Sequence, residues 1–300
     1  MDPGKGPSPV PRSVVAASAA VALTLAYSAP TPGAGSRYAD SPLAPAVAHE
    51  SRMLFASAAG GILSTADERG VGETVLEAAL SALDLSGFAD PRAVGYLSLL
   101  ARSNLLGTST GTVLAGLGRE EIEPFVRAFQ TTGGSLLDAL GVALSAGKDA
   151  TLRDAMRFAS RRDPLARDYA RDFEVPRELA KPAILASLSR AESARASLVQ
   201  AYLEVLSEVP DLDIAARAGT REAEDVSRMA KGVLKAGGTF SRRGLQGIAN
   251  LDGILREDPR LSPTATEPVI VAAAFMVCIE YGPDALSRRL RPASPGSKGR

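Results

Sequence analysis

Cysteine and histidine are all but missing from this sequence: its 300 residues hold one of each, Cys278 and His49. A lone cysteine excludes a disulfide framework, and the two counts together exclude a zinc site built from several Cys and His ligands. They also disfavour Cys–His and Ser–His nucleophilic catalysis. An excess of one charge is missing as well, since Lys+Arg and Asp+Glu number 34 each. That balance argues against a nucleic-acid partner or an anionic membrane surface, yet it leaves room for a local basic pocket. No stretch alternates β-branched residues, no βαβ rhythm appears and no repeat of fixed period is present, which disfavours sheets and solenoids. Asparagine is scarce (Asn104 and Asn250) and the basic residues are mostly arginine, a composition that points to a thermophilic or GC-rich source.

What is there forms helices. The hydrophobic share is 45% and the charged share 23%, an ordinary soluble mixture. A chain of this length folded as one domain buries roughly 70–75% of its unfolded surface, so it needs no disulfide or metal staple. In "VGETVLEAALSALDL", Val71, Val75, Leu76, Ala79, Leu80 and Leu83 recur at helical spacing. "REEIEPFVRAF" opens with carboxylates where a helix dipole favours them, and Thr151 with Asp154 is a variant of the capping box. Gly or Pro interrupts the pattern at Gly60-Gly61, Gly70, Asp90-Pro91, Gly133-Gly134, Pro176, Pro210, Gly237-Gly238 and Pro263. The fold class is therefore read as all-α, a single compact multi-helix domain of roughly ten to fourteen helices. It is expected to span residues 13–290, between flexible tails at 1–12 and 291–300.

Two apolar runs need a decision. "SVVAASAAVALTLAYSA" (Ser13–Ala29) follows Lys5 and Arg12 and has the layout of a signal peptide with a small-residue exit. Alanine is also the best helix former, Pro11 is a natural helix start, and no cysteine framework follows. The buried first helix is the preferred reading, and with it a cytoplasmic location. "VIVAAAFMVCIEY" (Val269–Tyr281), which carries Cys278, is read as a core helix rather than a subunit face.

Four loops hold small or polar residues at helix junctions. In "TPGAGSR", Gly33 and Gly35 permit conformations that expose backbone amides, and Arg37 is a phosphate-neutralising candidate; a plain interhelical turn is the alternative. In "GTSTGT", Thr108, Ser109 and Thr110 either cap the next helix or present donors to an anion, without the Gly-Lys-Ser/Thr ending of a P-loop. "FASRRDPLARDYARDF" clusters Arg161, Arg162, Asp163, Arg167, Asp168, Arg171 and Asp172. It reads as a solvated helix face with i,i+4 pairs, or as an arginine pocket for a polyphosphate with an aspartate on a metal. "EVPDLDIAARAG" offers Asp211, Asp213 and Arg217, which suit magnesium or base chemistry, or helix capping.

In this order along an all-α chain, the elements resemble the triphosphoribosyl-dephospho-CoA synthase family over residues 13–282. Pro32 and Gly33 match its Lys-Pro-Gly loop, and Thr108 and Gly111 match its Asn-Thr-His-Lys-Gly element. Arg162, Asp163 and Tyr169 match an Arg-Asp pair followed by tyrosine. Asp211, Arg217 and Gly219 match an Asp-Thr…Arg-x-Gly element, and Pro263 and Thr266 a closing Pro-Gly-(Ser/Thr) turn. The chain departs from the pattern at Thr31, where the family has its loop lysine, and at Ala34, Gly35 and Ser36. It departs again at Gly107, Ser109 and Thr110, which stand for Asn, His and Lys, and at Pro268, which stands for an aspartate.

The resemblance implies transfer of the triphosphoribosyl group of ATP to the ribose 2′-hydroxyl of 3′-dephospho-CoA, with release of adenine and with magnesium as cofactor. ATP and a CoA-like acceptor are the implied partners. Asp163 and Asp211 are the implied catalytic and metal-holding carboxylates. Thr31, Gly33, Arg37, Thr108, Ser109, Gly111, Arg162, Arg217 and Thr266 are the implied substrate and phosphate contacts, all converging on one pocket. The departures keep a second class open, a relative without catalysis that binds a nucleotide or CoA-like ligand or acts as a helical interaction protein.

Overall fold

The computed structural model describes residues 8–44, 47–130, 135–145, 150–191 and 193–287. Among them the chain runs through α1 (Arg12–Ser28), α2 (His49–Leu63), α3 (Val71–Ser86), α4 (Pro91–Leu106), α5 (Thr110–Ala115) and α6 (Ile122–Phe129). It continues through α7 (Ser135–Ser145), α8 (Leu152–Ala159), α9 (Pro164–Ala170), a π-helical turn (Val175–Ala180), α10 (Lys181–Leu188) and α11 (Ala194–Glu208). It ends with α12 (Leu212–Arg217), α13 (Thr220–Lys235), α14 (Arg242–Glu257) and α15 (Thr266–Tyr281). No strand occurs among the described residues, only a lone bridge between Ser41 and Ala44. The fold is all-α. Among the described residues there are fifteen α-helices, just above the expected roughly ten to fourteen. The excess lies in helices of six or seven residues, such as α5, α9 and α12, which read in sequence as parts of longer neighbours.

The residue types account for the layering. Helix α15 is apolar on every face, which in a globular protein means a helix at the centre. Val269 to Phe275, Val277 and Cys278 are all buried, and α1, α4, α10, α11 and the π turn pack around them. The stretch Pro259–Tyr281 is long and apolar enough to cross a membrane, and its most apolar window is 78% buried inside the fold. Helix α1 is likewise a core helix, with Val15, Ala19, Ala22, Leu23 and Tyr27 inaccessible. It lies close against α2 because residue 60 is glycine: a Cβ there would come within 2.9 Å of the Ala16 carbonyl oxygen. Helix α13 is amphipathic, burying Ala223, Val226, Ala230 and Val233 on one face.

Several local expectations hold. Helix α8 opens on the capping box, with Thr151 and Asp154 each bonding the other's backbone amide. Helix α3 buries Val71, Val75, Leu76 and Ala79, while Leu80 turns outward. Val10 donates its amide to the Asn104 carbonyl at 2.9 Å and α1 begins at Arg12, so the end of the expected 1–12 tail is tied to α4. The Gly133-Gly134 break and the 291–300 tail lie outside the described residues.

Candidate functional site

One loop and three helix N-termini meet on a cavity of about 570 Å³, a size usual for small-molecule sites. The loop is the one between α1 and α2. Gly33 takes a left-handed φ of 73°, which turns the chain so that its amide reaches Asp252 of α14 at 2.8 Å. Tyr202 of α11 donates to the Pro32 carbonyl at 3.0 Å, and Arg256 of α14 donates to Ala34 and Asp40 carbonyls at 2.8 and 2.5 Å. The loop is thus pinned from two sides and presents Gly33, Ala34 and Gly35 to the cavity.

The N-terminus of α4 supplies Asp90, Pro91 and Arg92. Asp90 caps the helix through the Ala93 amide (2.8 Å) and takes the Tyr27 hydroxyl (3.0 Å). Arg92 donates to Asp213 at 2.6 Å and to Asp163 at 3.1 Å. Burial opposes its charge, but the two aspartates outweigh burial and hold it more firmly protonated than usual. Helix α12 contributes Asp213 from its N-terminus and Arg217 from its last residue. Burial alone would lift Asp213, and Arg92 overrides it, keeping the carboxylate below its ordinary range. Arg217 staples the closing turn, donating to the Arg260 carbonyl (3.3 Å), the Thr264 hydroxyl (3.0 Å) and the Ser262 carbonyl.

The N-terminus of α15 brings Glu267. One of its oxygens is buried with no hydrogen-bond partner, and the other lies 4.0 Å from Arg52 of α2. Burial pushes this carboxyl up to about 7, with Arg52 pulling down and Asp90 pushing up. A carboxyl that titrates near neutrality at a cavity wall is suited to proton transfer. The wall is completed by Phe88, Phe129 and Pro268.

The residues singled out in sequence divide into three groups. Gly33, Gly35, Asp213 and Arg217 line the cavity. Asp211, Thr266 and Asp163 stand directly behind it. Asp211 accepts from the Asp213 and Ile214 amides (3.0 and 3.1 Å) on one oxygen, and from the Ala265 amide and Thr266 hydroxyl (3.0 and 2.8 Å) on the other. Burial and the charge of Asp213 raise it above an ordinary aspartate. Asp163 caps α9 through the Ala166 amide at 3.0 Å and is otherwise held by Arg92.

The third group lies elsewhere. Thr31 is buried behind the loop with its hydroxyl unpaired, outside the cavity lining. Arg37 and Arg162 are exposed and line no part of it. Thr108, Ser109 and Gly111 follow the far end of α4: the rise of about 1.5 Å per residue puts roughly 21 Å between that end, Leu106, and Arg92. There Ser109 caps α5 through the Thr112 amide at 3.0 Å, and Gly111 borders a separate cavity of about 180 Å³. The convergence of all five segments is thus corrected. The first, fourth and closing segments meet, the third touches them through Arg92, and the second does not reach them.

Magnesium on Asp163 and Asp211 does not fit these surroundings. Each carboxylate oxygen already accepts from protein donors, and among the described residues no three His, Cys, Asp or Glu side chains are grouped for a metal.

Arg52, Arg92 and Glu267 went unrecognised in sequence. Glu267 in the first turn of a helix reads as dipole compensation, and Arg52 as a helix-surface charge. Arg92 carried a usable signal, because a cation in the first turn opposes the dipole and needs carboxylates nearby.

The family model described as ATP:dephospho-CoA triphosphoribosyl transferase matches residues 14–285. The chain belongs to this family. The match agrees with the resemblance read from the motifs. A crystal structure from Archaeoglobus fulgidus, provisionally named a triphosphoribosyl-dephospho-CoA synthase, superposes with a TM-score of 0.55 at 20% identity. The superposition covers 73% of this chain and 96% of that one, a likeness of fold. No curated protein sequence matches.

Proposed function

We propose that this member of the ATP:dephospho-CoA triphosphoribosyl transferase family carries out the family's transfer in the cavity between the 33–35 loop and the 262–268 turn. The observation that carries the proposal is one cavity lined by Arg52, Arg92 and Arg217 together with Asp90, Asp213 and Glu267, of which Glu267 has an unpaired oxygen. The arginines and the N-termini of α4 and α15 favour a polyphosphate. Arg92 and Arg217 are already oriented by Asp213, Asp163 and the closing turn, so binding costs little further ordering. Magnesium is expected as the counter-ion of the triphosphate, and no step depends on it. The nucleotide's base and ribose have an apolar wall in Phe88, Phe129, Pro91 and Pro268.

In the transfer, the acceptor's 2′-hydroxyl oxygen bonds to the ribose anomeric carbon as the bond from that carbon to adenine breaks. Glu267 takes the hydroxyl proton, the departing adenine takes one from solvent, and Glu267 then returns its own to solvent, so the overall step is proton-neutral. Asp163, Asp211 and Thr266 act from behind, holding Arg92 and the turn that carries Glu267. A reaction that consumes ATP fits a cytoplasmic chain.

The test is adenine release from ATP and magnesium, with and without 3′-dephospho-CoA, at moderate and high temperature. Acceptor-dependent adenine is the expected result. Silence from folded protein that still binds ATP in calorimetry would favour the non-catalytic, nucleotide-binding alternative.

A further inference from the structure

Arg52 sits in an unusual hole. Its guanidinium lies 5.6 Å from the ring centre of Tyr27 and 5.1 Å from that of Phe88, and donates to the Gly35 carbonyl at 3.2 Å. Gly35 passes directly over it. A Cβ at residue 35 would stand 2.6 Å from Nη2 and 2.9 Å from Cζ, closer than real contacts allow, and 3.0 Å from the Ser41 Cβ, a tight contact. The two aromatic rings flank the guanidinium and the cavity borders it, so a methyl at residue 35 displaces it from this place. Glu267 is the carboxylate it meets, at 4.0 Å. The distance is too long for a hydrogen bond and short enough for strong attraction in a desolvated setting.

We propose that Arg52 is the positioning residue for Glu267, and that the missing side chain at Gly35 is the space that admits it. The inference rests on the reading of Glu267 as the proton acceptor. It adds a residue on α2 and a loop glycine to the machinery, and ties them into one unit. The other charged and titratable groups around Glu267 are Asp90 ahead of α4, Tyr27 of α1 and Tyr202 of α11, with Arg92, Asp213 and Arg217 across the cavity. Tyr27 and Tyr202 are held neutral by burial, and Arg92 is paired with Asp163 and Asp213 rather than with Glu267. Asp90 repels Glu267, so Arg52 is the group that keeps the charged carboxylate at this wall.

The experiment follows the Glu267 carboxyl directly, by carbon NMR on protein labelled at the glutamate carboxyls, with Glu267→Gln supplying the assignment. Arg52→Gln is expected to raise its titration midpoint by about one pH unit or more. Gly35→Ala is expected to raise it in the same direction, because the new methyl displaces the guanidinium. Arg52→Lys keeps the charge and should hold the midpoint near the wild-type value. The double variant Gly35→Ala/Arg52→Gln should move no further than Arg52→Gln alone, the mark of two changes acting through one contact. An unmoved midpoint in Arg52→Gln, or full additivity in the double variant, overturns the proposal. If Arg52→Gln does not fold, Gly35→Ala and Arg52→Lys carry the same decision. None of these readings needs turnover, so a failure of the transferase assay and a failure of this coupling are separable. Where turnover is present, the acid limb of kcat/KM should move with the midpoint.

Discussion

Asp211 and Glu267 are both carboxylates at the start of a helix, within the same corner of the molecule, yet they differ in how their oxygens are used. Asp211 accepts four hydrogen bonds, two from the first turn of α12 and two from Ala265 and Thr266 at the start of α15. It joins two helices and has nothing left for a substrate. Glu267 has one oxygen with no partner and another merely near a guanidinium. A buried polar group left unpaired costs free energy, and one that persists at a cavity wall points to a ligand. The sequence motifs favoured Asp211 for chemistry; the hydrogen-bond accounting favours Glu267 and leaves Asp211 as framework.

The comparison can be broken most directly at Glu267. Replacement by Gln keeps the shape and removes the base, so acceptor-dependent adenine release should fall by about 10²- to 10⁴-fold with the fold intact. The same variant should be the more stable protein in alkali. Glu267 titrates near 7 when folded, against 4.5 as its ordinary value, so the folded state keeps a proton that the unfolded chain loses. Wild-type stability therefore falls as pH rises through that window and is lowest above it. Glu267→Gln escapes this loss, and urea unfolding at pH 8 should favour it by roughly 2–3 kcal/mol, with the difference vanishing below pH ~4.5. A Gln variant that is less stable at pH 8 would make Glu267 framework after all.

At Asp211 the expected outcome is reversed. Asn cannot accept from four donors, because its amide group meets two of them with its own N–H. Urea unfolding should register a loss of about 2–4 kcal/mol, while protein that remains folded keeps measurable turnover. Fully lost turnover at unchanged stability would return Asp211 to the chemistry. The smallest effect belongs to Ser109, far down α4. Ser109→Ala should cost about 1 kcal/mol of stability through the lost cap and leave adenine release unchanged. A fall in turnover there would mean that the Thr108–Gly111 turn reaches the substrate.

Much of the fold was legible because helical spacing, capping and Pro/Gly breaks are local. The α8 capping box, the buried face of α3 and the central place of α15 all follow from residues within a turn or two of one another. The helix count was low because breaks inside short segments, such as the one between α12 and α13, depend on what the flanking turns pack against. The site was legible in part. Gly33, Asp211 and Arg217 sit where turn chemistry marks a junction, whereas Arg52 and Glu267 lie within helices and look like any other surface charge.

By itself the sequence determined an all-α chain of this family, the apolar helices at its centre and the turns that close the cavity, because those depend on periodicity and backbone preference. Only the tertiary structure decided which charges face one another. Helix α4 is long enough to carry its two ends to different cavities, and the rotation of α2 and α15 about their axes turns Arg52 and Glu267 inward. Neither can be read from spacing, since a charge on a helix faces solvent or a cavity according to what packs on the other side.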